Sequence, residues 1–319
     1  MSGRIAVIGA GAFGAALSVA WAGAGRDVTL WGRDAAAMRA AQRTRRLPRL
    51  PDVDLPDRIR CVADLDEAAD PASTGCTVLA VPMQALAPTL ARLRIDPATA
   101  VAACKGLETG TLRGATAILA EALPRARVGI LSGPSFAADV ARGLPTALTL
   151  GMRDAADVQD LLSTPALRLY RTDDVVGVEL GGALKNVTAI ACGAAIGAGL
   201  GESARAALMT RGMAETARLA AALGADPRTL SGLSGLGDLA LTCASPQSRN
   251  FAAGLALGRG APPPDATTEG VHTVRAALDL AARHGVEMPV ARATAALLDG
   301  TTTIGGAVDA LLSRDLTTE

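Results

Sequence analysis

Ile5-Ala6-Val7-Ile8-Gly9-Ala10-Gly11-Ala12-Phe13-Gly14 decides how this chain folds. The four apolar residues are too few for a helix and read as a short buried strand. Ala15 to Ala24 behind the glycines reads as a helix. GxGxxG between a strand and a helix is a dinucleotide turn with a mechanism. The first glycine, Gly9, permits the tight bend; Gly11 lets a pyrophosphate reach the backbone; Gly14 lets helix and strand pack closely. Ala12 and Phe13 then open the helix, where unpaired amide groups favour phosphate charge.

Working outward, Asp27 to Trp31 is a second strand that ends in Gly32-Arg33-Asp34. An NAD-specific unit places an acid on the ribose diol at this point. Here Arg33 comes first, and a guanidinium can hold a 2′-phosphate in a two-pronged grip. NADP is therefore favoured over NAD, with Asp34 either on the diol or at the start of the next helix. Further strands are expected at Ile59 to Val62, Thr77 to Val81, Thr99 to Cys104, Arg127 to Leu131, Ala147 to Leu150 and Leu167 to Tyr170, with helices between most of them. This alternation predicts an open, mostly parallel sheet wrapped by helices, a Rossmann-like α/β domain. Ligands bind beyond the carboxyl ends of such strands, where Val81-Pro82, Lys105-Gly106 and Ser132-Gly133-Pro134-Ser135-Phe136 fall. Lys105 at a strand end is placed to attract an anionic substrate.

After Asp173 strand-like segments give way to long Ala/Leu-rich helical patterns, predicting an all-α second half. The expected domains are 1–178, dinucleotide-binding, and 179–319, helical and substrate-binding. Lys185 and Lys105 are the only lysines, and Asn186 and Asn250 the only asparagines. On a helical wheel Leu180, Leu184, Val187 and Ala191 form one apolar stripe. Lys185 shares its face with Val178, Gly181, Gly182 and Ala189, a surface with so little bulk that a flat ligand is expected to lie against it. A lysine short of water there is usable as a general acid or base, or else it snorkels from a core rim. Ala204 to Leu223 is a second long helix. Asp238 closes a glycine-punctuated loop among apolar neighbours and is expected to face inward toward a cationic or hydroxyl partner, or to cap the helix before Leu239. Ser245-Pro246 is expected to start a helix, placing Ser248, Arg249 and Asn250 in its first turn, an arrangement suited to a phosphate monoester. Pro262-Pro263-Pro264 reads as a rigid loop.

Half of the chain is apolar and 2% aromatic, so its cores rely on Ala, Leu and Val, and the formal net charge is zero. No basic excess points to nucleic acid or a membrane surface. Arg43, Arg45, Arg46 and Arg49 read as a solvated loop broken by Pro48 and Pro51. Five cysteines, at 61, 76, 104, 192 and 243, show no metal-ligand spacing, and their odd number argues against a disulfide framework and for a reducing cytoplasm. His272 and His284 are isolated, and no metal site is expected. The glycines near the N-terminus suit a nucleotide turn better than a secretory signal. The Ala/Gly run Val187 to Gly201 falls short of the ~20 residues that span a bilayer, so no membrane insertion is expected.

Taken in order, Gly9-Ala10-Gly11-Ala12-Phe13-Gly14, Cys104-Lys105-Gly106-Leu107-Glu108, Ser132-Gly133-Pro134-Ser135-Phe136-Ala137, Leu184-Lys185-Asn186-Val187, Thr210-Arg211-Gly212, Gly235-Leu236-Gly237-Asp238-Leu239 and Gln247-Ser248-Arg249-Asn250 resemble the NAD(P)-dependent glycerol-3-phosphate dehydrogenase family of bacterial type, over nearly the whole chain. The resemblance implies reduction of dihydroxyacetone phosphate with NADPH or NADH. Lys185 would be the proton donor and acceptor, in a catalytic set with Asp238, Lys105 and Asn186. Lys105, Gly133, Ser135, Lys185, Asp238, Ser248, Arg249 and Asn250 would surround the substrate. Ala12, Phe13, Arg33, Lys105, Ala137, Arg249, Thr267 and Glu269 would touch the dinucleotide beside the turn glycines. It also implies a homodimer. Ser203 and Thr268 depart from the family pattern, which commonly has Asn and Val there. Two other readings compete: a lysine-dependent β-hydroxyacid dehydrogenase of related build, and a redox sensor that binds NADP without catalysis.

Overall fold

A computed structural model describes residues 3–262 and 268–313 of the chain. Its residues divide into two compact units, one of 1–105 and 113–179, the other of 106–112 and 180–319. The short segment 106–112 belongs to the second unit because Leu107 and Leu112 are buried in the cluster of Leu184, Leu219 and Val274. Sequence periodicity does not register so short an excursion.

The first unit is an eight-stranded sheet: β1 (Arg4–Ile8), β2 (Asp27–Trp31), β3 (Ile59–Val62), β4 (Cys76–Leu79), β5 (Thr99–Ala102), β6 (Arg127–Ser132), β7 (Thr146–Gly151) and β8 (Leu167–Thr172). Their order is β3-β2-β1-β4-β5-β6-β7-β8. All neighbours are parallel except β6 and β7, which run antiparallel with Leu131 opposite Leu150. Successive side chains feed opposite faces of the sheet. Thus Ile5 and Val7 join one core cluster and Ile8 the other, as do Val101 on one side and Ala100 and Ala102 on the other. The chain travels outward from β1 through β2 to β3 and returns at β4 on the other flank of β1, and this reversal opens the crevice where open α/β sheets take ligands. The two tryptophans are buried with their indole N–H groups satisfied, Trp21 on the Leu162 carbonyl at 2.7 Å and Trp31 on the Ala63 carbonyl at 2.9 Å.

Helices make up the second unit. The longest, Val175–Gly197, starts at the end of the first unit and runs through Lys185. By length and hydropathy it could cross a membrane, but 78% of its most apolar window is buried inside the protein. Its apolar character serves a close helix crossing. Gly193 and Gly197 face Gly254 and Gly258 of the helix Arg249–Gly258, so tightly that a Cβ on Gly193 would run into the Phe251 carbonyl and one on Gly254 into the Ile190 carbonyl. Two small-xxx-small pairs thus bring two backbones into contact.

Candidate active site

In the first unit, Gly9 adopts φ +128, and a Cβ there would lie 2.5 Å from the Ala80 carbonyl oxygen. Glycine is required on both counts. A Cβ on Gly14 would strike the Gly9 carbonyl, whereas one on Gly11 would meet nothing within 4 Å, leaving an open approach to the backbone. The helix Ala12–Gly23 begins with Gly11 as N-cap, with no side-chain cap and no acid in its first turn. Its leading amides therefore suit a pyrophosphate, and these residues fit the dinucleotide that the motif implies. Ala12 and Ala137 line one cavity of about 190 Å³ together with Pro51, Arg49 and Arg142. Phe13 is half-buried against the sheet core.

At the end of β2, the Asp34 carboxylate accepts from the Ala36 and Ala37 amides at 2.9 and 3.0 Å, capping the helix Ala35–Thr44. Of the two roles open to Asp34, the structure gives it the cap. Arg33 beside it is exposed and makes no hydrogen bond or ion pair to any described residue. Beyond β5 and β6, Lys105 Nζ donates to the Gly133 carbonyl at 3.2 Å and Ser135 Oγ to the same oxygen at 3.1 Å. Gly133 holds φ +147, and a Cβ on it would lie 3.1 Å from the Ala147 carbonyl oxygen. These three expected substrate residues are thus gathered by one carbonyl.

The second unit holds the other set. Lys185 is buried, its ammonium paired with the Asp238 carboxylate and donating to Thr242 Oγ1 at 2.8 Å. Asp238 is 1% exposed and receives the cation and a hydroxyl together, since Thr242 also donates to it at 3.4 Å. A buried ammonium is tolerable only with such compensation. Asp238 and Thr242 stand one turn apart on the helix Asp238–Cys243, whose approach is the π-helical turn Leu233–Gly237. That turn also corrects an expectation. The small-residue face around Lys185 is not open to a flat ligand at Gly181, where a Cβ would lie 2.6 Å from the Ser234 carbonyl oxygen. Lack of bulk there admits backbone.

The helix Arg249–Gly258 starts three residues later than Ser245-Pro246 suggests. Ser245 instead accepts from Gln247 N at 3.2 Å in a turn, and Ser248 is the true N-cap, accepting from Phe251 N at 3.2 Å. Arg249 remains in the first turn, exposed and without a partner among described residues. Asn250 and Asn186 are both buried and hydrogen-bonded to each other at 2.9 Å. Glu269 opens the helix Glu269–Arg283; Thr267, Pro263 and Pro264 lie outside the described residues.

Three polar residues went unread in the sequence. Thr242 carries a legible signal, its four-residue spacing from Asp238 on a helix. Glu215 is buried and accepts from Val290 N and from Ala291 N, the latter at 3.1 Å, at the start of the helix Pro289–Leu298; burial pushes its carboxyl above the usual carboxylate range. Glu179 is held by Thr116 N at 2.9 Å at the start of Ala115–Ala122 and is raised for the same reason. Neither acid has a local motif. All five cysteines are buried, and none forms a disulfide.

Comparison with known proteins gives a consistent picture. Residues 4–158 match the family model for the NAD-dependent glycerol-3-phosphate dehydrogenase N-terminus, and residues 174–309 that for its C-terminus. The glycerol-3-phosphate dehydrogenase [NAD(P)+] of Cereibacter sphaeroides is 54% identical over 99% of this chain and 100% of its own, and that of Paracoccus denitrificans 53% identical over 99% of each. The crystal structure of glycerol-3-phosphate dehydrogenase from Coxiella burnetii superposes with a TM-score of 0.92 at 34% identity, covering 98% of this chain and 99% of that one.

Proposed function

Because the chain belongs to the NAD-dependent glycerol-3-phosphate dehydrogenase family, we propose that it catalyses the reversible NAD(P)H-dependent reduction of dihydroxyacetone phosphate to sn-glycerol 3-phosphate, the backbone unit of phospholipids. The observation that carries the chemistry is the buried Lys185 ammonium held by Asp238 and Thr242. Reduced nicotinamide, when bound, supplies the hydride. The Gly9 to Gly14 turn and the leading amides of Ala12–Gly23 would hold its pyrophosphate, and Arg33 would take the 2′-phosphate of NADPH.

As the C2 carbonyl is reduced, negative charge grows on its oxygen. Lys185 stabilises that charge and delivers the proton, help worth typically ~10² to 10⁴ in rate. Asp238 and Thr242 hold the ammonium in place, which aims the proton. Asn186 accompanies Lys185 on the same helix. Arg249, with Ser248 and Asn250 at the start of Arg249–Gly258, would take the phosphate dianion, and family resemblance adds Lys105, Gly133 and Ser135 to the proposed substrate residues. Binding energy gathered at the phosphate then holds the carbonyl for attack.

The decisive experiment follows reduced-nicotinamide consumption with dihydroxyacetone phosphate, using both cofactors. The wild type is expected to turn over with a lower KM for NADPH than for NADH. Lys185→Ala is expected to lose at least about 10³-fold in kcat while NADPH affinity, read from its fluorescence, stays within about threefold. Equal loss of both would remove Lys185 from the proton-transfer role. Cytoplasmic residence, favoured by five cysteines outside any disulfide, and a homodimer, suggested by kinship, are checked by fractionation and by sedimentation.

A further inference from the structure

Gly270 is the second residue of the helix Glu269–Arg283, and its N–H donates to Asn250 Oδ1 at 2.9 Å. A backbone N–H can only donate, so it settles which end of the Asn250 carboxamide faces it. The other end, Nδ2, then faces Asn186 and donates to its Oδ1 at 2.9 Å. With its oxygen turned to Asn250, Asn186 points its own Nδ2 the other way. Asn186 is 4% exposed, and that Nδ2 finds no acceptor among the described residues. It is not sealed in the core either, because it is absent from the fully buried atoms that lack a partner. A donor kept this way, largely out of water and held in one orientation, is provided for by an acceptor that arrives with a ligand.

Space enforces the arrangement. A Cβ on Gly270 would lie 2.8 Å from the Asn186 carbonyl, 2.8 Å from Asn250 Oδ1 and 2.8 Å from Ile190 Cδ1, so only glycine brings this N–H to the carboxamide. The two asparagines so linked are the only ones in the chain.

We propose that Gly270 is a positioning residue: its N–H orients Asn250, and Asn250 orients Asn186, so that Asn186 presents an N–H donor, beside Lys185 in the chain, to an acceptor oxygen of the phosphosubstrate. The proposal deepens the dehydrogenase reading above and rests on it. It makes the start of Glu269–Arg283, where the resemblance places a dinucleotide contact at Glu269, part of what prepares the substrate side of the second unit.

The test begins with unaltered protein. Labelling with asparagine carrying ¹⁵N in its side chain gives two carboxamide signals per chain, and Asn186→Ala assigns them. Titration with glycerol 3-phosphate is expected to move the Asn186 pair; a pair that stays still at saturating ligand overturns the proposal. Kinetics supply the second arm. Asn250→Asp keeps an oxygen for the Gly270 N–H but cannot donate to Asn186, which must turn its oxygen outward. The expected result is a fall of at least about 10²-fold in kcat/KM for dihydroxyacetone phosphate, shared by kcat, with the Kd for NADPH within about threefold. In an Asn186→Ala background the same substitution is expected to cost less than about threefold more. Fully additive losses, or a parallel collapse of NADPH binding, overturn the relay. If the wild type itself fails to consume NADPH with dihydroxyacetone phosphate, the dehydrogenase reading fails instead.

Discussion

At the scale of single residues, the centre of the second unit depends on how a buried amine is held. Lys185 meets a full negative charge at Asp238 and a neutral oxygen at Thr242, and the two acceptors differ in what they contribute. Asp238 compensates charge, whereas Thr242 adds direction. Thr242→Val, which keeps the shape and removes the oxygen, is therefore expected to lower kcat by about 10- to 10²-fold, the range for a buried donor left unmatched. Thr242→Ser should restore most of it. Steady-state kinetics on both variants would check this, and equal rates for Val and wild type would show that the hydroxyl does not aim the amine. Asp238 was legible from the sequence because a lone acid in an apolar, glycine-rich turn has few structural uses. Its exact partners were not, since Lys185 lies 53 positions away and only the packed helices bring the two together.

At the scale of elements, the crossing of Val175–Gly197 with Arg249–Gly258 sets the geometry of the relay. With the glycines at 193, 197, 254 and 258 each against the backbone of the facing helix, the main chains approach closely at these positions, and Asn186 and Asn250 pair across the same two helices. Gly254→Ala is expected to destabilise the protein by at least about 1–3 kcal/mol, the cost of overpacking, and to weaken use of dihydroxyacetone phosphate. Thermal melting and KM would measure both, and an unchanged midpoint would mean that the helices have room to separate. The eight strands were readable because each is a short apolar or alternating run bounded by turn residues, with edges that differ by at most about two residues from the expected ones. The antiparallel pairing of β6 with β7 was hidden, because strand direction is set by the intervening connection and leaves no mark in a strand's own residues. The late start of Arg249–Gly258 was misread for a related reason. Two serines competed for the cap, and proline after the first made the wrong one attractive.

For the whole molecule, pH acts on stability in two opposed ways. Burial raises the carboxyls of Glu179 and Glu215, so each binds a proton more readily folded than unfolded. Their contribution is fully present below the unfolded-state value and is lost as pH rises through the folded-state value. Asp157, lowered chiefly by its hydrogen bond from Arg127, works the other way, its contribution being present above the unfolded-state value and lost as pH falls through the folded-state one. Glu215→Gln separates the two, because the variant keeps every other group. The melting temperature of the wild type relative to Glu215→Gln is expected to rise as pH falls from neutral into the ordinary glutamate range; a flat or reversed difference would show that the two Pro289–Leu298 amides outweigh burial. Fold class and family were open to a reader of the sequence because their signals are local. The acids that fasten helix starts from a distance were not.

The four-glycine crossing has one more implication. At its glycines the contact is main chain against main chain, and there it cannot be loosened by trimming a methyl group or tightened by adding one. Variation at these four positions is all or nothing, so the spacing of the two helices cannot drift by small steps there.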